Sequence, residues 1–446
     1  MTEIDLERQR YLQPTINIGM LGHVSNGKTT ITRFISGKDT RQFAEEASTG
    51  RTVRLGYANA KIWKSPSLKS PQCYFSSGSD VMEFVCSETG EKCELVAHIS
   101  FVDCPGHNTL VATMLNGTCV MSTSILIESA EHDIIPAPQT AEHLMATQMI
   151  GVPVSFAVLN KADIVSRKRF ENKYDKLSDY LKTSEGRDIP IVPISTIHGL
   201  NMDIVFEYIA CLVKQPTLQL DIAPKMYIVR SFDINRQGTP IDQLVGGVMG
   251  GSIQRGYFRV GDKVVIYPGQ IRDTIDADKD GSRWKYTPLV TTIQGMMSEK
   301  NSLDVAVPGG LIAVRTDMDC SLFRADHLVG NIVTRFGEKI EEEVFETVDI
   351  ECRPIRLNVD DKMREKYQLK NGDNVIINCN STNVDGKVTS LETSEGLTVA
   401  TVQLQESPIC AKIGGIISVS KKIPSARLVA QGTIRNGVRC LIYWIV

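Results

Sequence analysis

Between residues 15 and 213, short apolar runs alternate with stretches of helical texture. "TINIGML" (15–21) gives way to "KTTITRFISG", a short helix ending at Gly37. "HISFVDC" (98–104) is a second run, and "QTAEHLMATQMIG" reads as a helix stopped by Gly151. "PVSFAVLN" (153–160), "DIPIVPIS" (188–195) and the helix "NMDIVFEYIACLV" (201–213) complete the series. Apolar runs interleaved with helices predict βα units on a mostly parallel sheet.

From about residue 218 the period changes. Short alternating segments such as "YFRVGDKVVIYPG", "NVIINCN" and "GLTVATVQLQ" lie between Gly and Asn-Gly turns, the texture of a β-barrel or sandwich. "KQPTLQLDIAPK" (214–225) reads as a linker, and the acidic "GEKIEEEVFE" (337–346) as a second boundary. The expected organisation is an α/β domain over 1–217 and two all-β domains over 218–343 and 344–446.

Length agrees, since 446 residues exceed one ordinary core and favour two or three domains. A formal net charge of −3 gives no diffuse attraction to nucleic acid, so RNA would have to meet a local basic patch. The start "MTEIDLERQRYLQP" has no apolar signal core, and no run approaches the eighteen or so apolar residues that span a bilayer. Eleven scattered cysteines suit reduced thiols in a cytoplasmic protein.

The chemistry begins at "GHVSNGKTT" (22–30), which fits the phosphate-cradling pattern G-x-x-x-x-G-K-[ST]. Backbone N–H groups must point inward around phosphate oxygens, in conformations a Cβ would obstruct, and the following helix adds its positive end. Gly22, Ser25, Asn26, Gly27, Lys28, Thr29 and Thr30 are the candidate phosphate-binding residues. Lys28 would reach the β and γ phosphates, and the Thr29 hydroxyl would meet Mg²⁺. Asp103, in "DCPGH" at the end of "HISFV", can hold Mg²⁺ through water, and the Gly106 N–H can sense a γ-phosphate. In "NKAD" (160–163), the Asp163 carboxylate can accept from guanine N1–H and the exocyclic amine. The Asn160 amide can reach N7 and O6, and Lys161 can lie over the base. Adenine would leave Asp163 facing no donor, at a cost of about 1–3 kcal/mol. Three motifs in this order, each after a strand, point to GTP.

With these residues in hand, the chain resembles the translational GTPases. Three segments carry the resemblance further: "RLGYANAKIWK" (54–64), "FVDCPGHNTLVATMLNGTCVM" (101–121) and "KMYIVRSFDINRQGTPIDQLVGGVMGGSIQRGYFRVGDKVVIYPG" (225–269). They are similar to the gamma-subunit family of eukaryotic translation initiation factor 2. That resemblance implies an α/β P-loop GTPase domain followed by two β-barrels like those of elongation factor Tu. It implies a GTP form that holds methionyl initiator tRNA and delivers it to the small ribosomal subunit, with GTP hydrolysed on start-codon selection. The implied partners are separate alpha and beta subunits, a GTPase-activating partner and an exchange factor. An elongation-type aminoacyl-tRNA carrier, the GTPase subunit of a sulfate-activating enzyme and a non-hydrolysing scaffold share the nucleotide motifs.

Further residues follow from the resemblance. Thr52 aligns with the switch threonine that meets Mg²⁺ and the γ-phosphate, and His107 with the histidine that positions the attacking water. Tyr57 matches a position that contacts the tRNA acceptor end. Ser195, Thr196 and Ile197, in "STIHG", fall at the guanine-contacting loop, where Thr196 stands in place of a common alanine and contact is expected mainly through the backbone. Hydrolysis rests on positioning and often on an arginine supplied in trans, so a slow intrinsic rate is expected. Arg51 and Arg54 flank the switch.

Two departures matter. The excess between the switches, roughly 62–97, holds Cys73, Cys86 and Cys93 where relatives often carry a four-cysteine zinc knuckle. A structural zinc site wants four ligands; His98 belongs to the strand leading to Asp103, so zinc is not expected, and the insertion reads as solvated and held by hydrophobic contacts. Ser25 stands where many translation factors put an aspartate that helps hold a monovalent cation. Among basic residues, Lys421, Lys422 and Arg427 in "KKIPSAR", and the set Arg51, Arg54, Lys61 and Lys64, are candidates for tRNA phosphates.

Overall fold

The computed structural model describes the backbone of residues 5–40, 55–104, 111–274, 282–354, 368–394, 397–423 and 425–442. Contacts divide the chain into two compact units. One comprises Met1–Leu218 with Met297–Leu303 and Val307–Leu311; the other comprises Gln219–Met296, Asp304–Ala306 and Ile312–Val446.

The first unit runs α1 (Leu6–Leu12), β1 (Ile16–Leu21), α2 (Lys28–Ser36), β2 (Gly56–Lys64), β3 (Tyr74–Gly78), β4 (Glu94–Asp103), α3 (Val111–Thr118), β5 (Thr123–Ser129), α4 (Pro138–Ile150), β6 (Val154–Asn160), α5 (Arg167–Glu185), β7 (Ile191–Pro193) and α6 (Met202–Leu212). The sheet order is β3-β2-β4-β1-β5-β6-β7. Strands β4, β1, β5, β6 and β7 are parallel, whereas β2 and β3 join antiparallel at one edge. The sheet is therefore mixed, and its parallel part matches the apolar runs. Every residue of β1 and of β5 is buried, as expected of parallel strands covered on both faces. Glycines in the left-handed region close α2 at Gly37 and α4 at Gly151, where a Cβ would be strained.

Register places the motifs together. Met20 pairs with Asp103, Leu21 with Leu126, and Ser129 with Asn160. The carboxyl ends of β1, β4, β5 and β6 thus share one sheet edge, the place where open α/β sheets bind ligands.

The insertion exposes much of its length but is held by a small hydrophobic core of its own. Trp63, Cys86, Cys93 and Leu95 are buried together, with Tyr11, Leu68, Phe75, Val81 and Phe84 packed against them. The Trp63 and Phe84 rings stack at 5.9 Å, and the Trp63 indole donates to Ser77 Oγ at 2.8 Å. Cys73 belongs to the main core of the unit instead, so the three cysteines divide between two clusters. His98 uses both ring nitrogens, with the Arg10 carbonyl and the Ser79 hydroxyl each at 2.8 Å. Lys61 is buried, its ammonium donating to the Val81 carbonyl at 2.6 Å. It does not belong with the exposed cations counted as RNA contacts; its stem serves this small core.

The second unit holds two closed barrels of six strands. The first ring runs Lys263–Asp273, Ile332–Arg335, Lys225–Phe232, Val248–Arg255, Ile312–Thr316 and Trp284–Ser298, which pairs back onto Lys263–Asp273. The second runs Leu397–Leu404, Thr382–Ser394, Asn374–Cys379, Ile416–Ile423, Ser425–Arg439 and Glu343–Pro354, closing on Leu397–Leu404. In "GGVMGGSI", a Cβ on Gly251 would lie 2.0 Å from the Tyr227 carbonyl oxygen, so strand approach there requires glycine.

Candidate nucleotide-binding site

The loop after β1 takes its shape from left-handed residues: φ is +143° at Gly22, +67° at Ser25 and +96° at Gly27. Gly27 then opens α2, so Lys28 begins a helix whose amino end faces the loop. A Cβ at Gly27 would lie 2.3 Å from Asn160 Nδ2, which ties this glycine to the base-side loop as well as to its own turn. Ser25 and Thr30 are exposed.

Lys28 is buried and arches over the loop, its ammonium donating to the carbonyls of Gly22 at 2.8 Å and His23 at 2.9 Å. Burial lowers its pKa, opposed by Asp103, Cys104 and Glu128. A cation held by neutral carbonyls in a dry pocket is stabilised by an arriving anion. Beside it, Thr29 Oγ1 donates to Asp103 Oδ2 at 2.6 Å, and Thr40 Oγ1 donates to the same oxygen at 2.6 Å. Hydroxyl and carboxylate oxygens are the hard donors Mg²⁺ takes, and the ion normally completes its shell with phosphate oxygens and water. Among the described residues no group of three His, Cys, Asp or Glu side chains could hold a metal by itself. The fit is thus to a metal that arrives with phosphate.

The Asn26 side chain, at a position expected to meet phosphate, turns away from the cradle. Its Nδ2 donates to the Ile127 carbonyl at 2.7 Å and to Glu128 Oε2 at 3.0 Å, and its Oδ1 accepts from His132 Nε2 at 2.9 Å. Only the backbone of Asn26 is left for phosphate. Glu128 is buried and also accepts from Thr140 Oγ1 at 2.6 Å and the Ala137 N–H at 2.8 Å. Burial raises its pKa, and these donors oppose the rise. The first turns of α4 support the loop from behind: Gln139, Thr140 and His143 accept the N–H groups of Val24, His23 and Gly22 at 3.4, 3.1 and 3.3 Å. The signal for these three was "PQTAEH", polar side chains placed at the start of an apolar helix.

On the base side, Asn160 ends β6. Its Nδ2 donates to the Asn26 carbonyl at 3.0 Å, and its Oδ1 accepts from the Thr196 N–H at 3.3 Å and the Thr196 hydroxyl at 3.0 Å. Thr196 therefore works through its hydroxyl as well as its backbone. One amide hydrogen of Asn160 is committed to the phosphate loop, which leaves the other for a base. Lys161 has φ +62° and its ammonium meets Glu131 at 2.6 Å. The Asp163 carboxyl is held below its ordinary range by the Ser195 hydroxyl first and by His198, 3.7 Å away, more weakly. Among the described residues the Ser195 hydroxyl nevertheless meets no partner of ordinary hydrogen-bond geometry, so its effect on Asp163 is that of a nearby dipole. Ile197 is 84% exposed beside this loop.

Thr52, Gly106, His107, Arg51 and Arg54 lie outside the described residues. Tyr57 stands half-buried on β2, opposite Val102. Lys421 pairs with Asp373 at 2.7 Å, and Lys422 pairs with Asp385. Arg427 faces Lys421 across the hairpin backbone.

The comparisons agree with this geometry. The sequence model described as "Elongation factor Tu GTP binding domain" matches residues 13–215, and the one described as "Initiation factor eIF2 gamma, C terminal" matches residues 346–434. The chain is 38% identical over 429 residues to eukaryotic translation initiation factor 2 subunit gamma of Encephalitozoon cuniculi, covering 95% of this chain and 93% of that one. It is 36% identical over 423 residues to translation initiation factor 2 subunit gamma of Archaeoglobus fulgidus, covering 95% of each. The chain belongs to the translation initiation factor 2 gamma family. As a member it is a translation initiation factor GTPase. Solved structures place the fold among elongation factor Tu-like GTPases. A bacterial selenocysteine-specific elongation factor has a TM-score of 0.66 at 19% identity, with 94% of this chain covering 58% of that one. The elongation factor SelB from Methanococcus maripaludis, solved with a GTP analogue, has a TM-score of 0.65 at 18% identity, covering 95% of this chain and 79% of that one. Among the described residues, no helix of this gamma-family chain is long and apolar enough to cross a membrane.

Proposed function

We propose that this chain, in its GTP state, binds methionyl initiator tRNA, delivers it to the small ribosomal subunit in the cytoplasm and hydrolyses GTP when the start codon is selected. The observation that carries the reading is the likeness to initiation factor gamma subunits along 95% of the chain, joined to a site where the carboxyl ends of β1, β4, β5 and β6 share one sheet edge.

In this reading the GTPase domain is 1–217, and the β-barrel domains are 218–343 and 344–446. The Lys28 ammonium and the backbone N–H groups from Ser25 to Thr30 cradle the phosphates, Gly22 shapes the turn that opens the loop, and the Gly106 N–H senses the last phosphate. Asn160, Lys161 and Asp163 read guanine, with Ser195, Thr196 and Ile197 lining its edge. Bound Mg²⁺ would be held by Thr29, Asp103 and Thr52 and would supply neutralising charge between the phosphates. His107 orients the attacking water. Positioning of this kind leaves the isolated chain slow, so an activating partner supplies further charge stabilisation and an exchange factor reloads the site. Alpha and beta subunits complete the factor. Tyr57, Lys421, Lys422 and Arg427 are the proposed tRNA contacts, the lysines exchanging a carboxylate for a phosphate.

The test compares binding of initiator and elongator methionyl-tRNA by the GTP-loaded factor. Preference for the initiator is expected. Preference for the elongator would make the chain an elongation-type carrier, and binding of neither would favour a metabolic GTPase.

A further inference from the structure

The loop after β5, Ala130 to Asp133, touches both halves of the nucleotide site. The Ala130 N–H donates to the Asn160 carbonyl at 2.9 Å. Glu131 takes the Lys161 ammonium at 2.6 Å. His132 Nε2 meets Asn26 Oδ1 at 2.9 Å. Because Asn26 Nδ2 already donates to Ile127 and Glu128, Oδ1 is the acceptor and the imidazole carries its proton on Nε2. The His132 ring also stands edge-on to His23 at 5.3 Å, and the His23 carbonyl is one of the two that hold Lys28.

This loop is itself held from α5. The buried Lys173 ammonium donates to the carbonyls of Ala130 and His132. Arg169 donates to the Glu131 carbonyl at 3.1 Å and to Asp133 at 2.6 Å. Residues of β6, α5 and the phosphate loop thereby hold these four loop residues, and two side chains of that loop reach a phosphate-side and a base-side residue.

We propose that Glu131 and His132 are positioning residues that set the two ends of the nucleotide site from one loop. His132 fixes the Asn26 amide, whose two donated hydrogen bonds, to Ile127 and Glu128, then hold the phosphate loop against β5. Glu131 holds Lys161 where its stem can cover a base. The Glu131–Lys161 pair is exposed enough, at 55% and 29%, that it adds little to folding stability; its effect is on where Lys161 points. This inference rests on the guanine-nucleotide reading above.

The purified chain, with Mg²⁺, is titrated with a fluorescent GDP, which is then competed by GDP or by inorganic tripolyphosphate. Glu131→Gln is expected to weaken GDP about threefold to tenfold, the scale of one lost interaction, and to leave tripolyphosphate unchanged. His132→Ala is expected to weaken both probes by a similar factor, and His132→Gln, which keeps a donor at the same reach, to restore most of it. Unchanged GDP binding in Glu131→Gln and His132→Ala overturns the proposal. So does a loss in both variants that tracks a lower melting temperature and hits both probes alike. Asp163→Asn serves as the control: if it binds GDP as tightly as wild type, the nucleotide reading itself fails. Weakened binding in Asp163→Asn beside unchanged Glu131→Gln and His132→Ala defeats only the positioning role.

Discussion

Thr29 donates its hydroxyl hydrogen to Asp103 Oδ2 at 2.6 Å, which joins the first turn of α2 to the last residue of β4. That geometry sets a hydroxyl and a carboxylate side by side at the mouth of the loop, both of them oxygen donors of the kind Mg²⁺ takes. Thr29→Ala is expected to weaken GTP about tenfold to a hundredfold in Mg²⁺, the range for hydrogen bonds to charged groups, and to have little effect in excess EDTA. Equilibrium titration in the two buffers checks this. Equal losses in both would mean that Thr29 shapes the loop without serving the metal.

Asp163 lies at the rim of the base-side loop with its carboxyl held in the charged form. Asp163→Asn exchanges an acceptor for a donor, so GTP is expected to weaken by about tenfold or more. Xanthosine triphosphate, whose C2 carbonyl can accept from the new amide, is expected to improve. Competition between the two nucleotides measures the switch, and an unchanged preference for GTP would remove "NKAD" from base recognition.

Burial lowers the imidazoles of His98 and His143 from the ordinary 6.5 to about 3. The unfolded chain takes up these protons as pH falls through 6.5, whereas the folded chain refuses them until about pH 3. The unfolded state therefore binds more protons across that window, and stability present above 6.5 is lost as pH falls, by about 1.4 kcal/mol per pH unit for each group. Melting temperatures at pH 7.5, 6.5 and 5.5 should decline, and His98→Gln should flatten part of the slope. An identical slope in that variant would mean the ring is not sealed off.

Trp63 anchors the insertion through its stack on Phe84. Trp63→Ala is expected to cost about 3–5 kcal/mol, read as a lower melting temperature. Removing metal with a chelator should leave the melting temperature of the nucleotide-free wild type where it is. A drop on chelation would mean that a metal, rather than the aromatic cluster, holds the insertion.

How far the site was legible depended on how tightly chemistry restricts residue type. Phosphate demands glycine, lysine and a hydroxyl at set spacing, and guanine demands a carboxylate, so "GHVSNGKTT", "DCPGH" and "NKAD" stand out as candidates, and register brings the ends of the strands before them to one sheet edge. Strands β1, β4 and β6 were visible because both faces are covered and apolar residues run on without a break. Strand β5 escaped notice for the opposite reason: Thr123, Ser124, Glu128 and Ser129 are buried polar residues that interrupt the apolar run. Their satisfaction comes from across the fold, and no local pattern announces that Glu128 is matched by Asn26 about a hundred positions earlier. Lys61 misleads similarly, because a lysine that buries its stem has the same letter as one that faces solvent. The antiparallel edge of the sheet was hidden within the insertion, where the expected hydrophobic contacts turn out to centre on Trp63 and Phe84 beside Cys86 and Cys93. Cys86 still takes hydrogen bonds from Thr89 that lower its pKa.

The central claim is that the nucleotide site governs tRNA binding. Its most direct test is retention of labelled methionyl initiator tRNA by the purified chain, alone and with its partner subunits, under GTP and under GDP. Retention with GTP and loss with GDP is the predicted result; equal retention with both nucleotides, or none with either, would contradict it.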